Sequence, residues 1–355
     1  MTTVALDARG ADRGAEVITA GARAAAADGI GVRLFGDPVE LRELEGADGI
    51  ELIAAAGEIS NDDEPVAAVR SRPDASVVMA ARDVAEGRSD ALVSAGSTGA
   101  AMTAALFALR RMQGVRRPAL ALQLVVPGRD GPPTTLLDVG ANTECRPGDL
   151  VQFAYLGAAF STAVLGVERP RVALLSVGEE QKKGSQLVLE AHSRLSESTG
   201  IEFVGNIEGR DLLGEEAHVI VTDGFTGNVA LKTIEGTAKA VAAAVAAAAR
   251  SNPIATLGGL LLRPALGGLR RGMDPDATGG AILLGLRGVT VVGHGSSGAE
   301  GIANAVRLAA RAVEQRAVER TSALLEREGA TRGGLRSEST DTAEPAVVGR
   351  DRKGP

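Results

Sequence analysis

Short apolar runs alternate with amphipathic stretches along most of this 355-residue chain. Runs such as VALD, VRLF, ALVS, LALQL and VALL have the length and composition of buried strands. The stretches between them include EVITAGARAAAAD, DLVQFAYLGAAFSTAVLG and SQLVLEAHSRL, whose length and apolar spacing suit helices. This order predicts an α/β fold, in which a mostly parallel sheet is covered by helices on both faces to make three layers.

The composition of the chain excludes several kinds of partner. Aromatic residues make up only 2% of the sequence, tryptophan is absent, and the net charge is -7. These values argue against a nucleic-acid partner, because stacking platforms and a basic surface are both missing. The single cysteine excludes a disulfide within the chain, and the first residues do not read as a signal peptide, so we expect a cytoplasmic protein. Three histidines and one cysteine have no zinc spacing, and we predict neither a metal nor a cofactor.

The pattern of strands and helices predicts one domain over residues 1–330 and a disordered tail over 331–355. Within the domain, residues 251–273 combine leucines with three arginines and form no apolar run long enough to cross a bilayer. This segment is predicted to be a helical hairpin tip. Its leucines can pack on a second subunit or lie on anionic lipid, and the sequence leaves both interpretations open.

Small and polar residues follow the ends of the predicted strands, where ligands bind in open α/β sheets. The segments concerned are DARGAD, SAGSTGA, DVGAN, GEEQKKG, GNIEG, DGFTGN and HGSS. Each alone is typical of a turn or a helix cap, but the set together indicates a binding site. In TDGFTGNVALKTIEG, glycines and an aspartate stand at the start of a long helix, where backbone amides suit an anion such as phosphate.

These segments, in this order and at these spacings, resemble the PlsX family of phosphate acyltransferases, and the resemblance extends from Val4 to about Arg311. It implies a fold like that of isocitrate and isopropylmalate dehydrogenases and of phosphotransacetylase, in a homodimer. It also implies that acyl carrier protein thioester and inorganic phosphate react to give acyl phosphate. That product would supply a glycerol-3-phosphate acyltransferase in bacterial phospholipid synthesis, with peripheral contact at the inner face of the cell membrane.

The implied reaction needs no nucleophile from the protein, because phosphate can attack a thioester directly and a thiolate leaves readily. The site must instead hold the phosphate and stabilise the oxyanion. The resemblance places Lys183 at the active centre as the cation for phosphate or oxyanion, and Asn228 as an amide donor beside the amide of Gly227. The chain keeps only five lysines, and four of them lie in GEEQKKG or in the stretch 219–239 that contains TDGFTGN, which supports a role for Lys183 and Lys232.

The other candidate residues are expected to bind substrate. They belong to the strand-end segments and comprise Asp7, Gly96, Ser97, Thr98, Gly99, Asp138, Gly140, Asn142, Asp223, Gly224, Gly227, Lys232, His294 and Ser296. The opening loop DARGADRGA departs from the family's usual DAMGGDHAP, and Ser97 stands where the family usually has asparagine. The contacts made by these two segments are therefore left open.

Several alternative interpretations accompany this reading. Cys145 has no histidine suggested beside it, so we interpret it as a structural thiol rather than a nucleophile. Two other functions stay possible for the fold: an NAD(P)-linked hydroxyacid dehydrogenase, and an inactive scaffold docked on a membrane. The absence of a GxGxxG motif after the first strand is modest support against the dehydrogenase, since dehydrogenases of this fold do not use that motif either.

Overall fold

The computed structural model describes residues 1–126, 131–272 and 275–331, with no side chains described for 263–275. Apart from Thr331, the tail predicted at 331–355 therefore lies outside the described residues. The strands in the described part are β1 Thr3–Asp7, β2 Gly31–Gly36, β3 Ile50–Ala54, β4 Ala91–Ser94, β5 Ala119–Leu124, β6 Thr134–Leu137, β7 Arg171–Leu175, β8 Glu202–Ile207, β9 Val219–Val221, β10 Ala281–Leu284 and β11 Val289–Val292.

Helices connect most of these strands. They are α1 Ala15–Ala27, α2 Pro65–Ser71, α3 Ser76–Ala85, α4 Thr98–Leu109, α5 Pro147–Leu165, α6 Gln186–Ser196, α7 Gly224–Ala249, α8 Pro253–Gly272, α9 Ala299–Glu314 and α10 Ala317–Arg327. One face of the sheet packs against α1, α5, α6, α9 and α10, and the other packs against α2, α3, α4 and the first turns of α7. The predicted three-layer α/β fold is confirmed.

All described strands form one sheet, in the order β3-β2-β1-β4-β11-β10-β5-β6-β9-β7-β8. Most neighbouring pairs are parallel, as predicted, but the three central pairs β11–β10, β10–β5 and β5–β6 are antiparallel. Three successive reversals make β6, β9, β7 and β8 run opposite to β1, β4 and β11. The strand-end segments therefore fall into two groups at opposite edges of the sheet, a division that the alternating sequence pattern did not reveal.

Helix α5 fixes the position of β6 and β9, the strands that precede two of the candidate segments. It is long and apolar enough to cross a membrane, but 89% of the relevant stretch is buried inside the protein. Gly157 lets it approach closely: a Cβ there would lie 2.5 Å from Cγ1 of Val219 and 3.0 Å from Cδ2 of Leu137. The burial identifies α5 as the core helix of the domain.

Helices α7 and α8 form a hairpin that leaves the body of the protein. The only buried residues of the 26-residue α7 are Gly224 and Gly227, and past its third turn it makes little contact with the sheet. After a turn at 250–252, α8 returns against α7, with Gly259 close to Ala249. The segment predicted as a hairpin tip is thus the second helix of this hairpin together with its turn.

Candidate active site

The DVGAN loop after β6 is organised by the side chain of Asp138, which is completely buried. Its carboxylate accepts hydrogen bonds from the backbone N–H groups of Leu120 at 3.1 Å, Gly140 at 3.1 Å, Ala141 at 2.9 Å and Asn142 at 2.7 Å. The side-chain amide of Asn142 adds a fifth bond at 2.7 Å. Burial raises the pKa of Asp138, and these donors oppose that shift. Asp138 therefore positions the loop, because the loop occupies its carboxylate.

The start of α7 lies directly against this loop. The N–H of Gly224 donates to the carbonyl of Asn142 at 2.7 Å, and a Cβ on Gly224 would lie 2.6 Å from that same oxygen. At Gly227 the approach is closer still, since a Cβ would lie 1.9 Å from the carbonyl oxygen of Asp138. The glycines of TDGFTGN are therefore required for contact between two backbone segments of the protein, whatever ligand binds there.

Most N–H groups at this helix start already have partners. Asp223 caps the helix, since its Oδ1 accepts from the N–H of Thr226 at 2.9 Å and its Oδ2 from the Thr226 hydroxyl at 2.7 Å. The N–H of Gly227, which we had expected beside the oxyanion, donates to the Asp223 carbonyl at 2.9 Å. Within the described part of the chain, the first-turn N–H of Phe225 has no partner. It is the backbone donor available to an anion.

Asn228 follows on the exposed side of this helix start. No hydrogen bond of its side-chain amide occurs among the described residues, and the side chain approaches to 3.9 Å of the Cβ position at Gly140. An exposed amide with no competing acceptor can donate to a substrate oxygen. The side-chain amide of Asn228 and the backbone N–H of Phe225 are thus accessible donors, and Asn228 lies beside Gly140, which has no side chain to cover it.

Lys183 lies in the GEEQKKG loop, which follows β7. Strand β7 is the neighbour of β9 in the sheet. Its backbone is fixed, because its N–H donates to the Glu180 carbonyl at 2.9 Å and its own carbonyl accepts from the Ser176 hydroxyl at 3.1 Å. Its side chain is exposed, with no ion pair among the described residues. The ammonium is thus free to meet an anion, although no described contact joins it to Asn228.

Asn206, in the strand-end segment GNIEG, and His192, which the sequence did not single out, hold this lysine loop in place. The buried side chains of His192 and Asn206 meet at 3.0 Å between Nδ1 and Oδ1. The Nδ2 of Asn206 then donates to the Glu180 carbonyl at 3.1 Å. His192 is itself held edge-on to Phe203, with ring centroids 5.1 Å apart. His192 of α6 thereby positions the loop after β7 through Asn206 of β8, and no local sequence pattern around His192 indicates this role.

At the opposite edge of the sheet, Asp7 has a similar positioning role. It is buried, and its carboxylate accepts from the hydroxyls of Ser76 at 2.6 Å and Ser94 at 2.7 Å and from the N–H of Arg9 at 3.1 Å. Burial raises the pKa of Asp7, against the effect of these donors. Asp7 thereby ties the first loop to the SAGSTGA segment, where a Cβ on Gly96 would lie 2.8 Å from the Arg9 carbonyl.

The rest of SAGSTGA opens α4. Ser97 is the residue before the helix, and its buried side chain makes no capping hydrogen bond there. Thr98 is exposed, and Gly99 lies against Pro65, whose Cγ would be 2.8 Å from a Cβ on that glycine. A binding role for Ser97, Thr98 and Gly99 stays a prediction.

Lys232 connects the two edges of the sheet. It lies on α7, one turn beyond Asn228, and its Nζ approaches Nε2 of His294 to 3.5 Å while pairing with Glu235 at 2.9 Å. The N–H of Ser296 donates to Nδ1 of His294 at 3.2 Å. Because α7 crosses the sheet face that also carries α4, it brings HGSS and TDGFTGN to one side of the protein.

Cys145 is held close to this site as a neutral thiol. Its Sγ lies 3.7 Å from the Asn142 carbonyl oxygen. Burial raises the pKa of Cys145 to about 12, and the charges of Asp138 and Asp149 add to the shift. The thiolate form is therefore scarce near neutral pH. Among the described residues, no group of histidine, cysteine, aspartate and glutamate side chains is arranged to hold a metal ion.

The contact between Gly227 and Asp138 predicts that Gly227→Ala moves the start of α7, because the added methyl group meets a backbone carbonyl that cannot yield. The acyl transfer that the family resemblance implies should then fall at least about 10-fold. The control is Gly236→Ala in the same helix, where a Cβ meets nothing within 4 Å. Turnover and thermal midpoint of both variants check this. Parent-like activity in Gly227→Ala would contradict the assignment.

Comparison with known proteins identifies the family of the chain. The sequence profile of a family described as "Fatty acid synthesis protein" matches residues 2–320. A phosphate acyltransferase of Heliobacterium modesticaldum is 44% identical over 319 residues, covering 88% of this chain and 94% of that protein. One of Geobacillus thermodenitrificans is 44% identical over 327 residues, covering 91% of this chain and 99% of that protein.

Solved structures with low sequence identity share the fold. A phosphotransacetylase from Streptococcus pyogenes has a TM-score of 0.58 at 18% identity, covering 88% of this chain and 94% of that one. A 4-hydroxythreonine-4-phosphate dehydrogenase from Klebsiella pneumoniae has a TM-score of 0.50 at 13% identity, covering 87% of this chain and 98% of that one. The fold is thus common to transferases and dehydrogenases, and it is the sequence match over nearly the whole domain that decides: the chain belongs to the PlsX family of phosphate acyltransferases.

Proposed function

We propose that this acyltransferase moves an acyl group from acyl carrier protein to inorganic phosphate and releases acyl phosphate. Family membership supports acyl transfer to phosphate. The observation that carries the proposal is a pair of donor side chains that have no partner among the described residues, the ammonium of Lys183 after β7 and the amide of Asn228 after the neighbouring strand β9. A reaction between a phosphate anion and a thioester needs such donors and little else.

In the proposed step, a phosphate oxygen attacks the thioester carbonyl carbon and forms a tetrahedral oxyanion. The carbon–sulfur bond then breaks, the carrier thiolate leaves with the bond's electron pair, and water protonates it. Asn228 and the N–H of Phe225 are suited to donate to phosphate or oxyanion, and Lys183 supplies a positive charge. Donors that are already in place when charge develops lower the barrier without reorganisation.

Neither alternative function gains specific support. The dehydrogenase shares the fold at only 13% identity, whereas relatives named phosphate acyltransferase share 44%. The substrate-binding roles of Asp7, Asp138 and Asp223 are better described as positioning, since hydrogen bonds within the protein occupy their carboxylates.

We further propose that the protein works in the cytoplasm as a homodimer and meets the inner face of the membrane through α8. In the described part of α8, Ile254, Leu257 and Leu261 are 60 to 85% exposed, and they are spaced to share one face of the helix. The sequence of α8 contains arginines and no acidic residue, which suits anionic lipid. An acyl phosphate made there would supply a glycerol-3-phosphate acyltransferase.

Lys183→Ala and Asn228→Ala should each lower acyl phosphate formation by about 100- to 1000-fold, the usual cost of losing one positioned oxyanion donor. The fold should persist, since neither side chain has a described structural partner. Lys182→Ala is the matched control, because it removes the same charge from the neighbouring exposed position. The assay follows labelled phosphate into acyl phosphate. Near-parent turnover in either variant would remove that residue from the site.

Cys145→Ser should remain active, because the proposed attack involves no protein nucleophile. With the pKa of Cys145 raised to about 12, the intact thiol should also react slowly with thiol reagents at pH 8, and quickly once the protein is unfolded. Turnover assays and timed labelling measure the two effects. An acyl group found on Cys145 by mass spectrometry after mixing with substrate would overturn direct attack.

Replacing Leu257 and Leu261 together with glutamate should abolish binding to anionic vesicles, because each fully buried leucine contributes roughly 1.5 to 3 kcal/mol and the new charges repel the lipid. Turnover on soluble thioester should persist. Val39→Glu, at a 73% exposed valine outside the hairpin, is the control. Vesicle co-sedimentation and sizing chromatography are run together. A double variant that binds vesicles normally, or that becomes monomeric instead, would show that α8 does not lie on lipid.

A further inference from the structure

A cavity of about 760 Å³ lies beside the DVGAN loop. Met102 and Leu106 of α4 and Leu283 of β10 line it, and Ala141 and Asn142 form the wall that it shares with the candidate active site. Ligand sites commonly have volumes of roughly 300 to 1,000 Å³. The cavity is therefore large enough for a small molecule, or an extended arm, that leads to the reaction centre.

Arginine dominates the charge of this cavity, whose lining includes Arg110, Arg111, Arg116, Arg117 and Arg287. No aspartate or glutamate occurs among the described lining residues. This local excess runs against the chain as a whole, in which 45 acidic residues outnumber 38 basic ones. Guanidinium groups gathered around one space repel one another, and an anion placed among them relieves that repulsion.

Neutral acceptors hold several of these arginines and leave their charge uncompensated. Nε of Arg287 donates to the carbonyl of Arg111 at 3.1 Å, and Nη1 of Arg117 donates to the carbonyl of Glu144 at 3.1 Å. Such bonds to backbone oxygens fix where a guanidinium lies without neutralising it. Arg117 and Arg287 are therefore positioned in advance of any ligand.

One cavity arginine has a clear structural partner, and another has none. Nε of Arg116 lies 3.3 Å from the carboxylate of Asp149, which is buried at the start of α5. The exposed side chain of Arg110 makes no ion pair or hydrogen bond within the described residues. Arg110 is thus the position where substitution tests ligand binding with least damage to the fold, and substitution of Arg287 removes one described side-chain hydrogen bond, the one to the Arg111 carbonyl.

The three most buried side chains in the lining of the cavity are apolar and form its floor. Met112, Val115 and Leu283 are all at least 95% buried and contribute to its lining. Contact with these apolar side chains would not stabilise a free inorganic anion. The combination suits a ligand whose anionic group is attached to a longer and less polar portion.

The cavity also leads towards Asn228. Asn142, in the shared wall, donates from Nδ2 to the carbonyl of Pro118 at 2.7 Å, and its own carbonyl accepts from Gly224 at 2.7 Å. Gly140, two residues earlier in the same loop, is the neighbour of Asn228. A chain anchored at the arginines can therefore reach the predicted reaction centre along a single loop.

We propose that this cavity binds the phosphopantetheine arm that carries the thioester, with the arm's phosphate among the arginines and its thioester end at Asn228. The inference rests on the proposed function, which requires a thioester donor. Acyl carrier protein and coenzyme A share this arm, which has a phosphate at one end, an uncharged amide chain and a sulfur at the other end. That order matches the arginines, the apolar floor and the donors of the site.

Binding of 4′-phosphopantetheine tests the assignment directly. Calorimetric titration compares the parent protein with Arg110→Ala, Arg287→Ala and the double variant. Each substitution should raise Kd by about 10-fold or more, as expected for loss of a hydrogen bond to a charged group. Arg169→Ala is the control, since it removes the same charge at a position whose side chain is 85% exposed and outside the cavity. Circular dichroism and thermal midpoints confirm that the variants fold.

Turnover measured with three acyl donors distinguishes recognition of the phosphopantetheine arm from recognition of the molecule that carries it. The donors are acyl carrier protein thioester, acyl-coenzyme A and acyl-N-acetylcysteamine, which keeps the thioester but lacks the phosphate. The arginine variants should lose more kcat/KM with the first two donors than with the third, while KM for inorganic phosphate changes little. Loss limited to both phosphate-bearing donors supports the assignment.

Other results would overturn it. Equal losses with all three donors would mean that the arginines support the catalytic loop, and loss with the carrier protein alone would mean that they contact the protein surface of the carrier. Absence of 4′-phosphopantetheine binding to the parent protein contradicts the assignment outright. A parent protein that binds the arm yet makes no acyl phosphate from any donor would instead contradict the proposed function and leave the cavity assignment supported.

Discussion

The contact between the start of α7 and the loop after β6 is the constraint on which the candidate site depends. Asp138 takes part in it twice, because its carbonyl limits how close the helix can come and its carboxylate orders the loop. Burying that carboxylate is costly, and five N–H donors offset the cost. The position of Asn228 follows from this contact, since it is one residue beyond Gly227 on the same helix turn.

Much of the architecture could be predicted from the sequence, because apolar runs and helical spacing report directly on burial. The helices now numbered α1, α5 and α6 lie within a few residues of their predicted bounds, and the three-layer fold is confirmed. Strand direction could not be predicted in the same way. A buried apolar run such as AILL in β10 has the same composition whether its neighbours are parallel or antiparallel, so the reversal in the middle of the sheet left no local trace.

The candidate site divides along similar lines. Segments with several small residues, such as DVGAN and DGFTGN, were found from the sequence because their composition is unusual over a short stretch. The contact between His192 and Asn206 was missed, since Asn206 lies in the strand-end segment GNIEG but His192 belongs to a different element and to no motif. The arginine cavity was missed for the same reason, as its members span residues 110 to 287 and meet only in the folded chain.

The alanine-rich second half of α7, AVAAAVAAAA, explains how a helix can stand so far from the body of the protein. Alanine has the highest intrinsic helix propensity, so this stretch depends less on tertiary packing than most helices do. At about 1.5 Å per residue, the 26 residues of α7 extend roughly 39 Å from Gly224 to Ala249. The helix therefore acts as a stiff spacer: its first turn is held against the loop after β6, and its far end lies well away from Asn228.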